Sequence, residues 1–187
     1  NIMKAVLKIN NHIRLRDAQT SDIEDYLSVP FNEELLRMYG SDMNVETEKQ
    51  KSGAKLLISR IINNPYEWVI DYDALFIGQA RLSLDKTNNK AKFAIGIFNP
   101  NFWNKGIGTQ VTHQILEYAF NHLEVHKVYL RVLSYNYRAI KSYKNAGFII
   151  EGSDREGSYI NGNYETDLYM SILRNEFQSN FIDKVKN

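Results

Sequence analysis

The residues of this chain best suited to chemistry form a short loop, Asn104-Lys105-Gly106-Ile107-Gly108-Thr109. It joins a strand-like segment to a segment with helical periodicity. The first turn of a helix presents unpaired N–H groups and a partial positive charge. Phosphate oxygens satisfy such donors well. Glycine at 106 and 108 lets backbone approach an anion closely, and Lys105 adds a full charge. The loop is not a Walker A sequence, because no Gly-Lys-Ser/Thr follows at the required spacing. It is not a dinucleotide fingerprint either, since Val111 stands where the third glycine would be. Gly-Ile-Gly alone also fits an ordinary tight turn from strand to helix. A second cluster, His122-Leu123-Glu124-Val125-His126, falls short of the zinc pattern His-Glu-x-x-His, because Glu124 comes one place late. It reads as surface histidines, and no metal is expected.

The surrounding segments must position that loop. His12-Ile13-Arg14-Leu15-Arg16 alternates like a strand. Thr20, Ser21 and Asp22 offer helix N-caps for a helix to about Leu27. Pro30 and Phe31 interrupt it, a helical stretch follows at 33–38, and Gly40 ends that. Residues 46–63 form a further helix with Ala54, Leu57, Ile58, Ile61 and Ile62 at helical spacing. The period then changes: 67–71, 75–84 and 92–98 read as an antiparallel meander, stopped at Asn99-Pro100-Asn101. After the loop, Ile107, Val111, Ile115 and Ala119 recur every fourth residue, the buried stripe of a helix to about His122. Residues 127–133 read as a strand. Residues 136–145 read as a helix ended by Gly147 at C′. A strand starts at 148, Asn161-Gly162 marks a type I′ hairpin, and 164–173 returns as the last strand. The expected class is mixed α+β in one domain over 1–187, with a core at about 12–173 and short tails.

Composition narrows the function. With 23 Lys+Arg against 22 Asp+Glu, the net charge of +1 gives no global pull toward nucleic acid or an acidic membrane, so an anion site must be local. The absence of cysteine excludes disulfides, thiolate metal ligands and a cysteine nucleophile. No apolar run reaches the ~18 residues of a membrane span. The opening residues, 1–10, lack the continuous apolar block of a secretory leader, so a cytoplasmic protein is expected.

Three segments in register resemble the Gcn5-related N-acetyltransferase (GNAT) superfamily, and more narrowly its RimJ/RimL branch. The first is Pro100-Asn101-Phe102-Trp103-Asn104-Lys105-Gly106-Ile107-Gly108-Thr109, similar to the Gln/Arg-x-x-Gly-x-Gly/Ala pyrophosphate loop, with Trp103 in the Gln/Arg place. The second is Asn136-Tyr137-Arg138-Ala139-Ile140-Lys141-Ser142-Tyr143-Lys144-Asn145-Ala146-Gly147-Phe148, which resembles Asn-x-x-Ala-x-x-x-Tyr-x-x-x-Gly-Phe. The third runs from Glu151-Gly152 to Arg155, then Gly162-Asn163-Tyr164 and Leu168-Tyr169-Met170, similar to the branch's closing hairpin.

The resemblance implies a twisted, mostly antiparallel sheet whose two central parallel strands, 92–98 and 127–133, splay apart. Pro100, which lacks an N–H, offers a reason for the splay. Acetyl-CoA is the implied cosubstrate, with its pyrophosphate on the amides of Lys105, Gly106, Ile107, Gly108 and Thr109 beside Asn104. Its pantetheine is expected along the strand edge at Ile97 and Phe98. Asn136 would hydrogen-bond the cofactor, and Arg138 and Lys141 would reach its phosphates. The reaction is direct attack of an amine on the thioester.

Tyr143 is the expected acid for the departing thiolate, its phenol being protonated at neutral pH with an ordinary pKa of about 10. A backbone N–H near Ile97 or Phe98 is the expected oxyanion donor. The strand position that carries Glu in many relatives is Ala94, leaving Glu33, Glu34 or a water chain as the base. Thr166 stands where the branch often has Asp, with Asp167 following. The resemblance points first to a protein N-terminal amine as acceptor. A polyamine, aminoglycoside, amino acid or amino sugar is the alternative, with Glu33, Glu34 and Glu67 as a faint acidic hint. A CoA-binding module without turnover is a third reading. Neither nucleic acid nor membrane is an expected partner, and a monomer or homodimer is anticipated.

Overall fold

The computed structural model describes residues 3–30, 34, 37–38 and 47–178, with backbone alone at 47–50. The strands are β1 (Leu7–Lys8), β2 (Ile13–Arg16), β3 (Glu67–Tyr72), β4 (Leu75–Asp85), β5 (Lys90–Ile97), β6 (Lys127–Leu133), β7 (Ile149–Ile160) and β8 (Asn163–Leu173). The helices are α1 (Asp22–Ser28), α2 (Thr47–Asn63), α3 (Ile107–Glu117) and α4 (Tyr137–Asn145). The strands make one mixed, mostly antiparallel sheet of eight in the order β1-β2-β3-β4-β5-β6-β8-β7. The fold is thus the expected mixture of helix and sheet. Of the expected 33–38 helix, residues 34, 37 and 38 are helical, and the remainder lies outside the described residues.

The chain forms two compact units, the first from residues 1–81 and 95–107, the second from 82–94 and 108–187. In the first, Ala18, Ile58, Ile61, Val69 and Phe76 make the buried core, with Ile23, Tyr26, Leu57 and Phe98 packed on it. The α2 stripe runs through Ala54, Ile58 and Ile61, while Ile62 turns outward and is exposed. The opening segment is pinned: Trp68 Nε1 donates to the Ala5 carbonyl at 2.8 Å, and Lys4 Nζ to Asp17 at 2.6 Å.

The start of α1 is not made by the expected caps. Ser21 makes no side-chain cap bond. The buried Asp22 carboxylate instead takes Arg16 Nη1 at 2.9 Å, Arg16 Nη2 at 2.8 Å and the Gln19 N–H at 2.8 Å. Arg16 Nε reaches Asp71 at 2.5 Å. Burial acts to lower the Arg16 pKa, but the bonds to Asp22 and Asp71 prevail and hold it above its ordinary value.

In the second unit the expected α3 stripe, Ile107 apart, is Val111, Ile115 and Ala119, each wholly buried. Ile107, the last residue of the first unit, is buried as well. A π-helical turn, Tyr118–His122, ends α3, and His122 stacks on Tyr118. Strand β6 pairs along its full length with β8, from Lys127↔Leu173 to Leu133↔Asp167. The outermost strand, β7, breaks register twice, between Ile150 and Gly152 and between Asp154 and Ser158, and Glu156 there has φ 52°.

Parallel pairing of β5 with β6 covers Lys90↔Lys127, Ala91↔Val128 and Lys92↔Tyr129. Beyond Lys92 the two strands continue without further mutual pairs among the described residues. This corrects the role expected for Pro100. The ladder ends well before that residue, and Pro100 instead opens a 3-10 turn, Pro100–Phe102, capped by the Asn99 side chain. Proline suits a first helical position because it lacks only an N–H that would be unpaired there.

Candidate active site

In the first unit, the end of β5 is bent by a close approach to β4. The N–H groups of Phe98 and Asn99 both donate to the Ile77 carbonyl, at 3.1 and 3.4 Å. Two donors on one acceptor mark a bulge, which twists and redirects a strand. A Cβ on Gly78 would collide with the Gly96 carbonyl oxygen and lie 3.0 Å from the Ile97 Cα. Only glycine permits that approach. The Phe98 N–H, at one of the two places expected for an oxyanion donor, is thereby bonded to Ile77. Trp103, which stands at the Gln/Arg place of the loop pattern, has a structural task as well: its indole N–H donates to the Ile97 carbonyl at 2.7 Å. The loop is thereby tied to the strand edge, a link that the sequence pattern does not reveal.

The loop itself turns through left-handed residues before α3 begins. Asn104 and Gly106 have φ 59° and 74°, and residues 104–106 are exposed. The backbone N–H groups of Lys105, Gly106, Ile107 and Gly108 have no hydrogen-bond partner among the described residues. Lys105 lies with its Nζ 5.6 Å from the Phe102 ring centre. A run of unpaired donors at the opening of a helix, next to a lysine, fits a diphosphate. That donor set fits the phosphates of acetyl-CoA.

In the second unit the opening of α3 is joined to α4. The Thr109 and Ser142 hydroxyls lie 3.0 Å apart and share a hydrogen bond. Ser142 immediately precedes Tyr143, whose buried ring meets Phe93 and Phe148 edge-on, with centres 6.3 and 5.8 Å away. Asn136 is also buried, and its side chain accepts the Ala139 N–H at 3.3 Å as the N-cap of α4. One role of Asn136 is therefore local. Arg138 and Lys141 stand exposed on α4. Gly147, at φ 104°, ends the helix as expected.

The acidic candidates divide differently. Glu34 is exposed, and Glu33 lies outside the described residues. Glu67 is fully buried and held by Arg60 at 2.8 Å and Arg81 at 3.9 Å. Its charge is neutralised inside the first unit, so the acidic hint at Glu67 is structural. Asp167, following the departure at Thr166, binds Arg131 at 2.7 Å and Ser158 at 2.6 Å, while Asp154 takes the same Arg131 Nη2 at 2.7 Å. The hydrogen bond that Arg131 donates to Asp167 leads in raising the Arg131 pKa above its ordinary value. These residues clamp β6, β8 and β7 together.

The family model of the acetyltransferase (GNAT) domain matches residues 12–149. This chain belongs to the GNAT family. Spermidine N(1)-acetyltransferase of Escherichia coli K12 is 30% identical over 111 residues, 59% of each chain. The putative ribosomal N-acetyltransferase YdaF of Bacillus subtilis 168 is 32% identical over 108 residues, 57% of this chain and 58% of that one. The alignments thus span less than two thirds of these curated relatives. Among solved structures, spermidine N-acetyltransferase from Vibrio cholerae in complex with CoA and spermine is similar to this GNAT chain with TM-score 0.73. It is 25% identical and covers 90% of this chain and 99% of that one. Among the described residues, no helix is long and apolar enough to cross a membrane.

Proposed function

We propose that this GNAT chain is an acetyl-CoA-dependent N-acetyltransferase acting on a small-molecule amine, with polyamines the favoured class. The likeness to the Vibrio cholerae spermidine enzyme, whose structure was solved with CoA and spermine, carries the choice of acceptor. The protein N-terminal acceptor, the first expectation of the RimJ/RimL resemblance, has weaker support. YdaF is a putative ribosomal acetyltransferase by name, and a ribosomal-protein-S5-alanine acetyltransferase from Vibrio fischeri shares the fold at 15% identity. The two units are read as parts of one domain, because the family match runs through both.

Acetyl-CoA supplies an activated acyl group as a thioester. The chain's residues do the rest. The N–H groups of residues 105–108 and Lys105 hold diphosphate oxygens. The edge at Ile97 positions the acyl end, with the Trp103 indole fixing that edge. Tyr143 gives a proton to the departing thiolate, and its aromatic surroundings keep the phenol in place. The incoming amine must arrive without its extra proton, since an ammonium has no lone pair. Glu34, Glu33 or a water chain accepts that proton. The intact Tyr143 motif favours turnover over a CoA-binding module without activity.

The test combines two readouts. Acetyl-CoA raises the melting temperature, and Gly108→Glu abolishes the rise by setting a negative side chain against the phosphates. Release of free thiol from acetyl-CoA is then followed across a panel containing spermidine, spermine, aminoglycosides, amino acids and N-terminal peptides. Turnover with peptides alone would overturn the polyamine assignment. No thermal shift would overturn the cofactor assignment.

A further inference from the structure

Two threonines near the opening of α3 are used differently. The Thr112 hydroxyl turns back along its own helix and donates to the Gly108 carbonyl at 2.6 Å. Hydroxyls inside helices often make that local bond. Thr109 does not. Its Oγ1 lies 3.0 Å from Ser142 Oγ on α4, and neither hydroxyl has another hydrogen-bond partner among the described residues. Both residues belong to the second unit, and both are half-buried. Thr109 is the third residue of α3. Helical side chains lean toward the N-terminus of their helix, so the Thr109 hydroxyl leans toward the opening of α3. There the Gly108 N–H is unpaired among the described residues.

We infer that Ser142 is a positioning residue for the diphosphate of acetyl-CoA, donating its proton to Thr109 Oγ1 and so turning the Thr109 O–H toward a phosphate oxygen. The inference rests on the acetyl-CoA-dependent reading of the loop and deepens it by adding a residue that acts through another. A hydroxyl has one proton and two lone pairs. Two hydroxyls that share one hydrogen bond therefore keep one proton free between them, and either oxygen can hold it. A hydrogen bond to an ionised acceptor is the stronger kind. A phosphate thus selects the arrangement in which Thr109 donates to it and Ser142 donates to Thr109. Each bond in such a chain polarises the next. The helix that carries Tyr143, the expected acid, would in this way also orient a phosphate contact.

The test is a double-mutant cycle of Ser142→Ala and Thr109→Val. Each chain is assayed with acetyl-CoA and with S-acetylpantetheine, a thioester that lacks the diphosphate. The amine is spermidine or the best acceptor of the panel. Ser142→Ala lowers kcat/KM for acetyl-CoA roughly three- to tenfold, through KM and with kcat kept. With S-acetylpantetheine, variant and parent agree. On the Thr109→Val background Ser142→Ala has no further effect, because the serine has nothing left to orient. An unchanged KM for acetyl-CoA in Ser142→Ala overturns the inference. Equal losses with the two thioesters also overturn it, since packing between the helices would then be the cause. Additive losses in the double variant do the same, because Ser142 would then act without Thr109. Calorimetric titration with CoA separates the inference from the broader reading. A parent chain that binds no CoA refutes the acetyl-CoA reading and this inference with it, whereas a parent that binds CoA no better than Ser142→Ala does refutes the inference alone.

Discussion

Gly78→Ala tests whether the bend at the end of β5 positions the reaction. The added Cβ would meet backbone, not a yielding side chain: the Gly96 carbonyl oxygen, the Ile97 Cα at 3.0 Å and the Gly96 carbonyl carbon at 3.3 Å. Carbon atoms rest at about 3.5–4.0 Å, so the strand must retreat by roughly 0.5–1 Å. Overpacking of that kind costs about 1–3 kcal/mol. For a chain of this length each kcal/mol moves the melting temperature by about 2–4 °C, giving an expected fall of roughly 2–12 °C. Catalysis should suffer more than stability. Ile97 borders the proposed acyl position, and a displacement near 1 Å lowers rate by up to ~100-fold. Scanning calorimetry gives the first number, and free-thiol release with saturating acetyl-CoA and spermidine gives the second. Assays run well below the variant's melting temperature separate misplacement from unfolding. An alanine variant with parental melting temperature and parental kcat would refute the claim that this contact sets the strand's course.

Tyr143→Phe should lower kcat by about 10²-fold or more while leaving acetyl-CoA affinity unchanged, the signature of a lost general acid; unchanged turnover would remove Tyr143 from that role. Ala74 closes the β3–β4 turn at φ 73°, a left-handed conformation that penalises a Cβ. Ala74→Gly should therefore stabilise by about 1 kcal/mol, offset in part by glycine's extra freedom when unfolded, as read by urea denaturation. The Tyr26 phenol has a pKa raised above 10.0 by burial. Below pH 10 the folded and unfolded chains both hold that proton and the contribution is complete; above it the unfolded chain ionises first and stability declines. Tyr26→Phe should accordingly show a shallower loss of stability as pH rises above about 10.

Local signals read well where one pattern dominated. Residues 127–133 alternate cleanly, and β6 occupies that span. Asn161 and Gly162 both have positive φ, 48° and 81°, as a type I′ turn requires. Gly106 was legible because its φ of 74° is a conformation that glycine adopts without penalty. What escaped was set by partners far along the chain. Asp22 starts α1 through Arg16, whose other carboxylate comes from Asp71 on β3, and no local cap rule contains that triangle. β1 is too short to show a period. The parting of β5 from β6 begins after Lys92, well before Pro100, the residue that the sequence suggests as its cause. Ile62 matched a helical spacing on paper, yet α2 packs through Ala54, Ile58 and Ile61 and leaves it outside. The packing of Tyr26 and Phe98 on Phe76 draws on segments so far apart that no spacing could announce it.

The irregular course of β7 bears on how the protein behaves at high concentration. A sheet's last strand displays amides and carbonyls to which a foreign strand can add, the first step toward fibrils. Here the would-be template is jagged: two register faults, a left-handed Glu156, and the charges of Glu151, Asp154, Arg155 and Glu156 interrupt it. An incoming peptide would find no long run of evenly spaced hydrogen-bonding sites. Self-association through this rim is thereby discouraged.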